Sequence, residues 1–128
     1  MDMQIGSLKL QLIDSNIIEE KAEDFISAEV LKEHLGCTDQ FLDKELESCH
    51  IFFIQNGIKI VYPKFFIDPT LKRQDLNKIC KILKNESSVS KWLFLTNRRG
   101  SLGGVSPIDA LRENKFKAVK EAALGHIE

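Results

Sequence analysis

Between residues 51 and 62 the chain reads Ile51-Phe52-Phe53-Ile54, then Gln55-Asn56-Gly57, then Ile58-Lys59-Ile60-Val61-Tyr62. Asn-Gly between two β-prone apolar runs predicts a hairpin turning on Asn56-Gly57, because both residues tolerate the positive φ of a two-residue turn. Pro63, which has no N–H to donate, predicts the end of the second strand. Two short helical patterns stand just upstream. Ser27 predicts an N-cap, and Val30, Leu31, His34 and Leu35 follow at helical spacing until Gly36 stops the run. Thr38 predicts the cap of a second helix through Leu46, with Phe41, Leu42 and Leu46 as its apolar stripe. Helix, glycine turn, helix and hairpin in that order make a winged helix-turn-helix pattern.

The rest of the chain reads as helices. Leu76, Ile79, Cys80, Ile82 and Leu83 make Asp75 to Lys84 amphipathic. Val89 to Thr96, with Trp92, Leu93 and Leu95, is more apolar throughout and predicts a buried helix. A loop with Asn97, Gly100, Gly103 and Gly104 follows. Ser106 then predicts a cap, with Pro107 at the first helical position and Asp109 favouring the helix N-terminus. Asn114 predicts a break, and Lys115 to Leu124 a last helix with Phe116, Val119 and Ala123 inward. Upstream, Met3, Ile5, Leu8, Leu10 and Leu12 nearly alternate, which permits a strand, with Gly6 interrupting it. The acidic run Glu19 to Asp24 reads as a solvated helix or linker. These patterns predict an α+β chain, mostly helical. An N-terminal extension (1–24) precedes a winged helix-turn-helix unit (25–70), and a small C-terminal helical bundle follows (71–128).

At 128 residues and 43% hydrophobic content the chain has enough apolar surface for a core. No run approaches the roughly 20 apolar residues that span a membrane, and the start lacks a secretory pattern. Three cysteines, an odd count without close pairing, fit reduced thiols in a cytoplasm better than a disulfide framework. The net charge of −1 is unevenly spread. Residues 1–48 hold 12 acidic residues against 4 lysines, and residues 49–128 hold 14 basic against 7 acidic. Either a basic face is available to an acidic partner or the two halves neutralise each other on folding.

Candidate chemistry is sparse. His34, Cys37, Cys49 and His50 are zinc-ligand types, but adjacent Cys49 and His50 are poorly placed to converge on one tetrahedral ion, and cysteine is commonly buried with no ligand role. No metal is therefore expected. No histidine neighbours a nucleophile in a strained-turn motif, and Gly100-Ser101-Leu102-Gly103-Gly104 lacks the Gly-Lys-Ser/Thr ending of a phosphate loop. The chain is read as non-catalytic and free of cofactors. For DNA, the second helix of the pair offers Thr38 for phosphate, Gln40 for an adenine edge and Lys44, with Lys59 and Lys64 near the wing. Asp39, Asp43, Glu45 and Glu47 on that helix oppose phosphate.

The segments Trp92-Leu93-Phe94-Leu95-Thr96-Asn97, Leu102-Gly103-Gly104 and Ser106-Pro107-Ile108-Asp109-Ala110-Leu111-Arg112 resemble the toxin-binding domain of Xre/MbcA/ParS-type antitoxins. The likeness covers about residues 75–124. Ile26 to Gly36 and Tyr62 to Asp68 are similar to bacterial proteins that join a MerR/excisionase-like winged helix to this domain. The resemblance implies a toxin-antitoxin system: a cytoplasmic, homo-oligomeric transcription regulator that neutralises a partner toxin, often of the NAD-consuming RES class, and binds DNA. Arg98, Arg99 and Arg112 are the expected partner contacts, since arginine beside an interhelical loop pairs well with carboxylates; solvated charge is the plainer reading of all three. The alternative function is an adaptor or dimerisation protein whose helix-turn-helix has no DNA-binding role.

Overall fold

A computed structural model describes residues 21–128. The near-alternation at Met3 to Leu12 and the first part of the acidic run lie outside the described residues. Ala22–Asp24, the rest of that run, is a single exposed 3-10 turn.

The first strand, β1 (Phe25–Ile26), is followed by α1 (Ala28–Leu35) and α2 (Asp39–Glu47). Both helices start where the sequence predicts. The Ser27 hydroxyl accepts the Val30 N–H at 3.2 Å and the Thr38 hydroxyl accepts the Phe41 N–H at 3.2 Å, each satisfying an otherwise orphaned donor. Gly36 closes α1 at φ +60°, a conformation that costs other residues more than glycine. Across that turn the Lys32 ammonium pairs with Asp39 at 2.5 Å. Leu31 and Leu42 carry the buried faces of the two helices.

The hairpin forms from β2 (Ile54–Asn56) and β3 (Lys59–Pro63), but its turn is one residue later than the Asn-Gly signal predicts. Asn56 pairs with Lys59, and Gly57-Ile58 make the turn, with positive φ at Gly57 alone. The reason is register. Pairing Ile54 with Val61 buries both, whereas a turn centred on Asn56-Gly57 would set Ile54 opposite Lys59. The consequence is a fully exposed Ile58 at the tip. Pro63 is the last residue of β3, as predicted. β1, which the sequence reading did not anticipate, pairs antiparallel with β3 through Phe25–Pro63 and Ile26–Tyr62, giving the order β1-β3-β2.

After a 3-10 turn at Lys64–Ile67 the chain is helical: α3 (Arg73–Ile82), α4 (Ser88–Thr96), α5 (Pro107–Arg112) and α6 (Phe116–Ile127). Ser87 caps α4, and Ser106 caps α5 by accepting the Asp109 N–H at 3.1 Å, with Pro107 at the first position. Between them Arg99 and Val105 form an isolated bridge, closed by Gly103 and Gly104 at φ +74° and +83°. Asn114 at φ +63° separates α5 from α6. The result is a mostly helical α+β fold with a small three-stranded antiparallel sheet. Among the described residues no helix is long and apolar enough to cross a membrane.

One core runs from Phe25 through Ala123 without a break at residue 70. Phe52, Phe65 and Phe66 pack edge-on at centroid distances of 4.8 to 6.1 Å. Trp92 is buried on α4, and its ring lies 5.4 Å from that of Phe25 on β1, so the indole joins the sheet to the helices. Phe25→Ala removes half of this joint and is expected to cost about 3–5 kcal/mol. Glu121→Ala, on the solvent side of α6, should stay within about 0.5 kcal/mol. Urea denaturation followed by Trp92 fluorescence measures both; equal midpoints for the two variants would contradict the joint.

Candidate functional site

The predicted DNA contacts do not gather into one basic surface. Thr38, Gln40 and Lys44 are exposed on α2, but so are Asp39, Asp43 and Glu47 on the same helix, and the Thr38 hydroxyl already serves as cap. Lys59 is exposed next to the apolar tip residue Ile58. Lys64 lies past β3, where it lines a cleft of about 660 Å³ with His34, Asp68, Thr96 and Arg112.

The zinc-type residues are also dispersed. His34 faces that cleft and Cys37 lines the turn between α1 and α2. Cys49 is half-buried at φ +60°, and His50 is engaged with Glu45 through Nδ1 at 2.7 Å. Among the described residues, no group of three or more His, Cys, Asp or Glu is arranged to hold a metal ion. Glu45 additionally meets Arg73 at 3.7 Å, and the Arg73 guanidinium lies over the Phe41 ring at 5.3 Å. This contact joins an acidic residue of the N-terminal part to a basic residue beyond it, so some of the charge imbalance is cancelled internally.

The three arginines expected at a partner surface have different fates. Arg112 is spent inside the molecule. Its Nε and Nη2 donate to one Asp68 oxygen at 3.0 and 2.6 Å, and Nη1 donates to Asp109. The other Asp68 oxygen accepts the Thr70 N–H and hydroxyl at 2.9 and 2.6 Å. Asp68 thus fixes the loop after the 3-10 turn and ties it to α5. Partial burial pushes the Asp68 carboxyl up, but the hydrogen bonds from Thr70 and Arg112 outweigh it and hold the group below the usual carboxylate range. Partial burial pulls Arg112 down, and its two carboxylate partners more than reverse this.

Arg98 is exposed, and Arg99 is half-buried with its guanidinium carbon 4.2 Å over the Phe94 ring. No described carboxylate lies within ion-pair distance of either. The Arg99 Nε is buried without a hydrogen-bond partner among the described residues. Stacking on Phe94 offsets part of that deficit, since a desolvated cation–π contact contributes about 2 kcal/mol. His126, near the end of α6, meets the same Phe94 ring at 4.9 Å and pairs through Nε2 with Glu86 at 3.1 Å. Together with Ser87, Ser90, Leu93 and Asn97 these residues line a groove of about 350 Å³. Sequence reasoning found Arg99 but missed His126 and Phe94 as its neighbours, because nothing local indicates that the end of α6 returns to α4.

Compared with protein families, curated proteins and solved structures, the chain matches no family model, no curated protein and no solved structure. The functional reading therefore rests on the arrangement of these residues.

Two predictions follow from the ionisable groups. Folding lowers the Asp68 pKa, so the clamp's contribution is complete above the ordinary carboxylate value and is lost as pH falls through the lowered one. Asp68→Asn should cost about 1 kcal/mol at neutral pH, the upper range for a partly exposed pair. The gap between variant and wild type should then close well below pH ~3.9. Urea midpoints measured across pH check this, and a gap that persists undiminished into strong acid would sink the clamp. For the thiols, burial pushes Cys80 up to about 12, whereas Cys37 and Cys49 are only half-buried. An aromatic disulfide reagent should modify Cys37 and Cys49 in the native protein and reach Cys80 only after denaturant is added; three thiols reacting together under native conditions would contradict the packing.

Proposed function

We propose that this chain is a non-catalytic, antitoxin-like regulator that binds a partner protein through its C-terminal helices. The observation that carries this reading is the assembly of residues 88–112. A Trp-bearing helix leads into a loop with Gly103 and Gly104 in left-handed conformations, and the loop restarts as a Ser106-capped, Pro107-initiated helix. This is the arrangement expected from the resemblance to Xre/MbcA/ParS-type toxin-binding domains. Apolar side chains left exposed on α4 and α6, namely Leu93, Leu124 and Ile127, support a protein rather than a small molecule as the occupant. A RES-type toxin is the partner class we would test first, with the chain acting as a homo-oligomer.

We read the N-terminal unit as a winged helix-turn-helix. The order strand, helix, helix, hairpin, with the first strand hydrogen-bonded to the last, supports this. That arrangement favours DNA as a second partner. The exposed acids of α2 weigh against it, because phosphate affinity depends on Lys and Arg, and Lys44 is flanked in sequence by Asp43 and Glu45. We therefore favour a scaffold role for this unit over DNA recognition.

Tagged protein drawn from native extract should bring down one stable partner, identified by mass spectrometry. The surface variant Leu93→Glu/Ile127→Glu, checked for folding by circular dichroism, should lose it. Retention of that partner by the folded variant would remove the C-terminal helices from the interface. In a gel shift at ~50 mM salt we expect no retardation of DNA; a shift that weakens steeply as salt rises would make DNA binding part of the function.

A further inference from the structure

We propose that the groove between α4 and the end of α6 receives an acidic segment of the partner protein, with a carboxylate on Arg99 and an adjoining apolar side chain against Leu93. The proposal rests on the reading that the C-terminal helices bind a protein, and it names the chemistry of what they bind.

Arg99 is the reason. Arg112, Arg73 and Lys32 each meet a carboxylate of their own chain. Arg99 meets none among the described residues, although it is half-buried and its Nε is sealed from water. Its guanidinium is held over Phe94 rather than waving in solvent, so less side-chain freedom is lost when a planar acceptor arrives. Arg98 adds a second uncompensated charge next to it. Glu86 is engaged with His126 and accepts from the Ser90 hydroxyl at 3.4 Å. Asn97 lines the same groove with no described hydrogen bond from its side-chain amide, leaving a donor for a second carboxylate oxygen. The exposed apolar part of the lining is Leu93, at 37% exposure and flanked by Val89, with room for one aliphatic residue beside the charge; Phe94 is buried beneath Arg99 and only supports its guanidinium. Charge complementarity therefore selects an acidic and apolar pair.

The test uses the full chain, isotopically labelled, titrated in nuclear magnetic resonance with acetyl-Leu-Glu-Leu-amide and with the counterpart carrying Gln in place of Glu. We expect shifts confined to residues 87–99 and the last turn of α6. Affinity should be at least about tenfold weaker for the Gln peptide, the difference made by one charge-assisted hydrogen-bond pair. Arg99→Gln should weaken the Glu peptide by a similar factor, while Lys117→Gln, exposed on α6, should leave it unchanged. If Arg99→Gln fails to fold, Leu93→Glu places a carboxylate on the rim of the groove and should abolish binding instead. Equal shifts with both peptides overturn the proposal, as do equal shifts with acetate alone, which would mark a bare anion site. Shifts on the same groove residues that appear on raising the protein concentration without peptide also overturn it, in favour of a second copy of the chain in that groove. In the extract experiment, a partner lost by Leu93→Glu/Ile127→Glu but retained by Arg99→Gln sinks the carboxylate site and leaves the partner reading standing. No captured partner, with the peptide titration as expected, removes the partner reading and upholds the site.

Discussion

The contact between Phe25 and Trp92 decides how the two parts of this molecule meet. β1 is only two residues long and could not persist alone; it exists because β3 offers it a hydrogen-bonding edge and because its buried Phe25 ring has an indole to lie on. Trp92 in turn sets the rotation of α4. With Lys91, Trp92, Phe94 and Leu95 drawn inward, Leu93 is left pointing outward, and the start of the glycine loop is delivered to one side of the helix. The Asp68–Arg112 clamp adds a second tie, 44 residues apart in sequence, between the loop after the sheet and α5. Sheet and helices thus form around one core.

What the sequence made legible was everything governed by neighbours within about four positions. Ser27, Thr38, Ser106 and Pro107 mark helix starts because capping is a local hydrogen bond; the Ser87 cap of α4, two residues before the predicted start at Val89, was not read. Gly36 and Asn114 mark helix ends because left-handed backbone is a property of one residue. The hairpin was legible as a hairpin but not in its register. Turn chemistry at Asn56-Gly57 and the cross-strand match of Ile54 with Val61 ask for different pairings, and the match wins: the alternative register keeps the same faces but sets Ile54 opposite Lys59. β1 was invisible, since two residues carry no period. The site was legible only in its types. Arg98, Arg99 and Arg112 look alike in sequence, and what separates them is a carboxylate far upstream and a helix end far downstream.

Charge shows the same division. The acidic N-terminal part and the basic remainder do meet at Arg73 and Glu45, yet most ion pairs join residues of the same part, as in Lys32–Asp39 and Arg112–Asp68. Folding does not therefore erase the asymmetry. It leaves α2 with an acidic outer surface and the α4–α5 loop with two unmatched guanidinium groups. The α1–α2 pair is held from beneath by Leu31 and Leu42, so its packing does not depend on the acidic residues of the outer face.

Arg99 is harder to explain as scaffold. A half-buried guanidinium whose Nε finds no acceptor among the described residues carries a desolvation cost of about 1–3 kcal/mol, which an aliphatic side chain over Phe94 would avoid. Stacking returns some of that, but an alkyl group would return dispersion as well, so packing alone does not favour arginine. The bridge between Arg99 and Val105 is made by backbone atoms and is indifferent to the side chain. What arginine supplies and an aliphatic residue cannot is a fixed pair of donors at the mouth of an apolar groove. With Nε sealed, the donors left for an incoming carboxylate are the two Nη groups, and that is the role proposed for this side chain.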